Sequence, residues 1–192
     1  MSRRAEIADA AITTLARDGM RGLTHRAVDR AAGLPEGSAS YYFRTRQALL
    51  QATVERLAEL DTAEMLPSTG LPVQSGHELD AFALAAASII DNWLTTGRER
   101  QLARYELALE ATRRPELRDA LVASGAAIRA MVASQFAAAG IRQPGQRAAN
   151  FVAFADGLVF DQIAGAGARN LTSADLGAAI RALLAAVAGT KP

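Results

Sequence analysis

Cysteine is absent from the 192 residues. Its absence excludes disulfides, zinc-thiolate sites and thiol nucleophiles, and leaves the hydrophobic core alone to hold the fold. Histidine is scarce: His25 and His77 lie far apart, no HExxH spacing occurs, and no serine triad can be assembled around either. Aromatic residues make up 5% of the chain, and with few β-branched residues as well the composition disfavours strands. Gly165-Ala166-Gly167 follows a helical pattern and not a strand, so it is no dinucleotide fingerprint. An all-helical enzyme is therefore the weaker reading, and neither a cofactor nor a metal is expected. Long apolar runs are missing too. The low-charge stretches 81–90 and 120–139 are too short, or are interrupted by Arg129, where a membrane span needs about 20 apolar residues. Met1-Ser2-Arg3-Arg4 leads directly to Glu6 and Asp9 without the apolar core of an export signal. A cytoplasmic chain with no membrane partner is the expectation.

Half of the residues, 50%, are hydrophobic, and much of that half is alanine, the best helix former. The fold class expected is all-α. The net charge is only +1, which gives no hint of a polyanionic partner, but its distribution does. Residues 1–50 hold eight arginines against five acids, a balance of +3, while the remainder holds thirteen bases against fifteen acids, a balance of −2. Such an asymmetry carries weight only with a motif beside it.

Helical spacing of apolar residues organises the chain into about nine helices. Ile7, Ala8, Ala11, Ile12 and Leu15 form one stripe over 3–18, ended by Gly19. Thr24 caps a second helix over 25–32 with Ala27, Val28 and Ala31 inward, and Gly33 stops it. A short third helix covers 36–42, and Phe43 closes it against the core. Thr45 caps a fourth, with Leu49, Leu50, Val54, Leu57 and Leu60 on its apolar face, running to about residue 65. Pro67, Gly70, Pro72, Ser75 and Gly76 read as a linker. Further helices are expected over 77–96, 98–112, 115–139, 146–166 and 172–188, with Gly97, Pro115, Gly140, Pro144 and Gly165 as punctuation.

A bracing helix, a tight turn and a short third helix form the arrangement that lets one exposed helix enter the DNA major groove. The third segment, Glu36-Gly37-Ser38-Ala39-Ser40-Tyr41-Tyr42, carries small and hydroxylated side chains. Small side chains admit close approach to bases. Ser40, Tyr41 and Tyr42 can donate to phosphate oxygens, and Arg46 supplies a cation. Placed near a helix N-terminus, that cation opposes the macrodipole by a few tenths of about 1 kcal/mol, and an incoming phosphate would reverse the penalty.

Residues 1–57 resemble the TetR family of regulators. The resemblance rests on Thr24 opening the second helix, Ala31-Ala32-Gly33, Gly37-Ser38, Phe43, and Arg46 followed by Ala48-Leu49-Leu50. The chain departs from that pattern at Ser40, where the family usually has an aromatic, at Ala39, where it has a larger aliphatic, and at Glu36-Gly37, where Lys-Gly is frequent. The resemblance implies a DNA-binding domain over 1–48 and an effector-binding and dimerisation domain over 49–192. It assigns base-reading roles to Glu36, Gly37, Ser38 and Ser40 and phosphate contacts to Thr24, Arg26, Tyr41, Tyr42 and Arg46, with Arg3 and Arg4 as a flexible arm. His25 joins as a backbone contact. A glutamate at 36 accepts a hydrogen bond from cytosine N4 where a lysine would bind guanine, or it merely caps the helix.

One such module touches few base pairs, so useful specificity needs two copies on a two-fold-related site. A homodimer on double-stranded operator DNA is expected, its interface made by Phe151, Ala155, Leu158, Val159, Gln162, Leu176, Ile180, Leu183, Leu184 and Val187. The small residues Ala153, Gly157, Ala178, Ala179 and Ala182 would let helices approach closely. The resemblance implies a four-helix bundle across the dimer axis and a small-molecule effector in the C-terminal body. Candidates for its pocket are Phe82, Ile89, Trp93, Arg104, Tyr105, Glu110, Phe136, Phe154 and Asp156. Aromatics at helical spacing are ordinarily plain core, and polar groups in such helices ordinarily form salt bridges. The rival to a DNA-binding regulator is a helical dimer that binds a partner protein, which the departures at Glu36 and Ser40 keep open.

Overall fold

The computed structural model describes residues 2–65, 78–165 and 171–188. Among them lie nine helices and no strand: α1 Arg3–Gly22, α2 His25–Ala31, α3 Ser38–Tyr42, α4 Arg46–Met65, α5 Glu78–Leu94, α6 Arg98–Ala111, α7 Pro115–Ala138, α8 Pro144–Ile163 and α9 Ser173–Ala188. The expected linker over 67–76, His77, and the Gly167 and Asn170 part of the last junction lie outside the described residues.

Packing divides the chain into two units, residues 1–61 with 97–124 and residues 62–96 with 125–192. Helix α6 and the start of α7 pack with the head in the first of these units. Three local signals shape that first unit. Ser2 caps α1 by accepting from the Ala5 amide at 3.2 Å. Gly19, at φ 66° and ψ −174°, breaks the helical path inside α1, a left-handed conformation that suits glycine. Thr24 and Thr45 cap α2 and α4, accepting from the Ala27 and Ala48 amides at 3.1 Å each.

The core of the unit joins the α1 stripe (Ile7, Ala11, Leu15) to Val28, Ala39, Phe43, Leu49, Leu50, Val54 and Leu57, and on the other side to Ala103, Leu107 and Ala111 of α6. Each large side chain buried there contributes about 1.5–3 kcal/mol, so the short helices of the head are held by packing and not by propensity. Polar ties fix the register. Arg56 of α4 pairs with Asp9 of α1 at 2.7 Å, and Arg104 of α6 pairs with the buried Asp61 of α4. Glu106 accepts from the Met20 amide at 3.0 Å.

In the second unit α5 packs on α9, and α8 packs on both. Phe82, Phe136 and Phe151 meet edge to face at centroid separations of 5.4, 5.4 and 5.8 Å, a geometry that aligns ring edges with ring faces. Helix α9 opens with a capping box: the Asp175 amide donates to Thr172 Oγ1 at 3.2 Å, and the Thr172 amide donates back to the Asp175 carboxylate at 2.9 Å. Helix α7 is the one described helix long and apolar enough, by length and composition, to cross a membrane. Arg129 at mid-helix would be costly there, and a helix of this composition is equally at home in a soluble bundle.

Candidate nucleic-acid interface

A five-residue helix has no stability of its own, since nucleation consumes more than one turn of hydrogen bonds returns. Helix α3 (Ser38–Tyr42) is therefore held at both ends by remote side chains. At its N-terminus Asp29 of α2, only 2% exposed, accepts from the Gly37 amide at 2.8 Å and from the Ala39 amide at 2.7 Å. One carboxylate thus satisfies two donors that a helix start leaves unpaired. At its C-terminus the carbonyls of Tyr42 and Phe43 are taken up in turn. Arg4 donates to Tyr42 at 3.1 Å while lying 4.4 Å over the Phe43 ring, and His25 Nε2 donates to Phe43 at 2.7 Å. Gly37 enters the helix at φ 96°, where a side chain would be strained.

Held in this way, α3 turns Ala39 into the core and leaves Ser40 and Tyr41 outside. Tyr41 is 79% exposed, and its ring meets that of half-buried Tyr42 edge to face at 5.1 Å. A short rigid helix with a polar, hydroxylated outer face and small side chains can sit in a groove and hydrogen-bond both phosphates and base edges.

The residues expected to touch DNA fall into distinct groups. Thr24, Arg26, Glu36, Gly37, Ser40 and Tyr41 are exposed around the turn and α3. Ser38 is half-buried, its hydroxyl donating to the Pro35 carbonyl at 2.7 Å. Arg3 is exposed and pairs with Glu6 at 2.6 Å. Three basic residues have intramolecular partners. Arg4 and His25 hold the end of α3, as above. Arg46, expected as a ready phosphate ligand, is half-buried and donates to the Met20 and Leu23 carbonyls. The charge that opposes the α4 macrodipole is offset by those carbonyls, which lock the α1–α2 connector.

Two residues escaped the sequence reading. Asp29 was hidden inside a stripe read as Ala27, Val28 and Ala31, yet Asp29 is buried and Ala31 exposed. An acid eight residues before a glycine that starts a short helix is the signal that points to it. Arg44 lies between buried Phe43 and the capping Thr45, and is exposed. It has no hydrogen-bond or ion-pair partner among the described residues.

The expected dimer residues divide by burial. Phe151, Ala155, Val159, Leu176, Ile180, Leu184 and Val187 are buried within the chain's own core at 0–7% exposure, while Leu158, Gln162 and Leu183 are half-buried. A side chain already enclosed in one protomer has little surface left for a second. Among the residues that α8 and α9 leave exposed are Ala153, Gly157, Ala178 and Ala182, with Phe154, Phe160 and the polar Asn150, Asp156 and Arg181.

The nine pocket candidates divide between the units. Arg104, Tyr105 and Glu110 belong to the first, where Arg104 binds Asp61 and Glu110 binds Arg114 and Arg113. In the second, Phe82 and Phe136 join the aromatic cluster, Ile89 is half-buried, and buried Trp93 donates to Glu64 at 3.1 Å. Phe154 and Asp156 are exposed. No group of three metal-ligating side chains occurs among the described residues.

The geometry defines a helix-turn-helix protein in which a separate helical body accompanies the DNA-facing head. Comparison with known proteins specifies the kind. Residues 7–53 match the model for bacterial regulatory proteins of the tetR family, and residues 77–190 match the tetracyclin repressor-like C-terminal domain. The chain belongs to the TetR family of transcriptional regulators, with a DNA-binding N-terminal domain and a ligand-binding C-terminal one. Among solved structures, a transcriptional regulator from Rhodococcus sp. Rha1 is 20% identical with TM-score 0.76, over 97% of this chain and 96% of that one. A TetR-family member from Streptomyces coelicolor A3 is 26% identical with TM-score 0.74, over 95% and 98%. The multidrug binding protein EbrR, complexed with imidazole, is 26% identical with TM-score 0.67, over 95% of each chain. No curated protein matches the chain.

Proposed function

We propose that this chain is a repressor that grips a palindromic operator as a homodimer and releases it when a small molecule binds the C-terminal domain. It works by binding, in the cytoplasm, and not by catalysis. The observation that carries the reading is α3: too short to stand alone, it is fastened at both ends by Asp29, Arg4 and His25 and presents Ser40 and Tyr41 outward.

The exposed faces of α8 and α9 support the dimer. Ala153, Gly157, Ala178 and Ala182 allow close helix approach, and Phe154 and Phe160, 56% and 43% exposed, supply apolar area that a second copy would cover. The class of effector that fits this reading is ring-containing and largely apolar. EbrR, complexed with ethidium at 26% identity and with proflavin at 27%, supports the same class. An effector can release DNA only through different affinities for the two states of the dimer. Helix α4, which carries Arg46 in one unit and Glu64 in the other, is the lever: displacement of its far end changes the spacing of the two α3 helices.

Binding of the purified protein to the DNA upstream of its own gene, at several salt concentrations, tests the reading. Affinity should fall with a log–log slope of about −0.9 for each phosphate neutralised. Salt-independent binding, or a single subunit in solution under the same conditions, would count against it and favour a protein-binding module.

A further inference from the structure

Glu36 is the only carboxylate between Asp29 and Glu55, and Asp29 is buried at the start of α3. The turn that faces the phosphates therefore carries one exposed negative charge. It is not alone: Arg26 Nε lies 2.8 Å from Glu36 Oε1, and Arg26 Nη2 donates to Oε2 at 3.3 Å. This is a two-point pairing of guanidinium and carboxylate, and both side chains are exposed, at 77% and 66%. Exposed pairs are weakly bound and readily exchanged. Arg44, close by in the chain, has no such partner. Arg26 is thus neutralised before DNA arrives, and Arg44 is not.

We propose that Glu36 determines specificity by withholding Arg26. On arbitrary DNA the carboxylate keeps the guanidinium occupied, so that Arg26 adds nothing to phosphate binding. On the operator a cytosine N4 amino group donates to Glu36 in place of Arg26, and the freed guanidinium turns to a phosphate oxygen. One base pair then switches on a charge contact. The inference rests on the head being a DNA-binding surface.

Binding of the full dimer to a labelled 30-base-pair duplex of random sequence, from about 0.05 to 0.3 M salt, is the test, with Glu36→Gln, Arg26→Ala and the double variant. Glu36→Gln should tighten random-sequence binding about eightfold per protomer at 0.1 M salt and steepen the slope by about 0.9 per protomer. Arg26→Ala, which leaves the Glu36 charge bare, should bind random sequence no more tightly than the wild type, and the double variant should lack the gain seen in Glu36→Gln. Selection from a random pool should enrich a cytosine at one symmetric position per half-site with the wild type and not with Glu36→Gln. Glu36→Ala guards against an effect peculiar to the amide. Unchanged random-sequence affinity in both Glu36 variants, a gain in the double variant equal to that of Glu36→Gln, or a persisting cytosine preference overturns the proposal while DNA binding itself stands. Loss of salt-dependent binding by the wild type to both random and upstream duplexes overturns the DNA-binding reading and this inference with it.

Discussion

Replacing Asp29 with alanine isolates the force that holds α3 in place. The carboxylate accepts from two amides, at 2.8 Å from Gly37 and 2.7 Å from Ala39. A hydrogen bond to a charged group contributes about 1.5–3 kcal/mol. Ala39 is fully buried at 0% exposure, so its amide cannot turn to water and the loss lies at the upper end. Gly37 is exposed, regains water, and lies at the lower end. Together the loss is about 4 kcal/mol. A five-residue helix has no reserve against it, so the damage should be concentrated in α3. Native-state hydrogen exchange should show the Ala39 amide losing up to about three powers of ten in protection, while amides in the middle of α1 change far less. Operator binding by the dimer should weaken by about a hundredfold or more, because only protomers with α3 formed are competent. Asp29→Asn keeps one acceptor oxygen and should recover about half of the loss. Wild-type protection at Ala39 together with wild-type DNA binding in Asp29→Ala would refute the account of how α3 is held.

Gln101 is fully buried at 0% exposure, and neither its amide nitrogen nor its oxygen has a hydrogen-bond partner. Gln101→Leu should stabilise the fold by about 1–3 kcal/mol, raising Tm by about 2–4 °C for each, and a lower Tm would show that the amide is satisfied after all. Arg46→Ala should lower thermal stability by releasing the Met20 and Leu23 carbonyls and leave the salt dependence of DNA binding unchanged. Arg44→Ala should reduce the slope by about 0.9 per protomer; the opposite pattern would return the phosphate role to Arg46. Arg114 first, and Arg113 after it, hold the Glu110 carboxyl below its ordinary value of 4.5. A depressed folded-state pKa means that the stabilisation is complete above the unfolded value and is lost as pH falls through the folded one. Urea unfolding of wild type and Glu110→Gln should therefore differ above about pH 5 and converge in more acidic solution, and a gap that widens on acidification would contradict the pairing.

Helix periodicity made the architecture readable before any coordinate: Ile7, Ala11 and Leu15 lie inward as their spacing requires, and Gly19, Thr24 and Thr45 end or begin helices through local chemistry that needs no tertiary partner. What sequence could not supply was the use of polar side chains at long range. Arg4, His25 and Arg46 look like DNA-facing cations because their charge is local information. The carbonyls they bind lie 38, 18, 23 and 26 residues away. Asp29 was missed for the same reason, since an acid in a helix is ordinarily solvated and only the arrival of α3 against it makes burial favourable.

Large apolar residues pose a separate question in helical bodies of this size. Large apolar residues at helical spacing identify a face that must be buried but not what buries it. On α8 and α9 that face is consumed within the protomer, where Phe151, Val159, Ile180 and Leu184 are at most 4% exposed. The opposite side exposes small residues together with Phe154 and Phe160, at 56% and 43%, and on the reading proposed above a second copy covers that apolar area. Ala153, Gly157, Ala178 and Ala182 expose little hydrophobic area singly, yet permit helix axes to approach within the 8–10 Å or so of close packing. A row of small residues opposite the hydrophobic stripe is then the sequence feature to weigh beside the stripe itself.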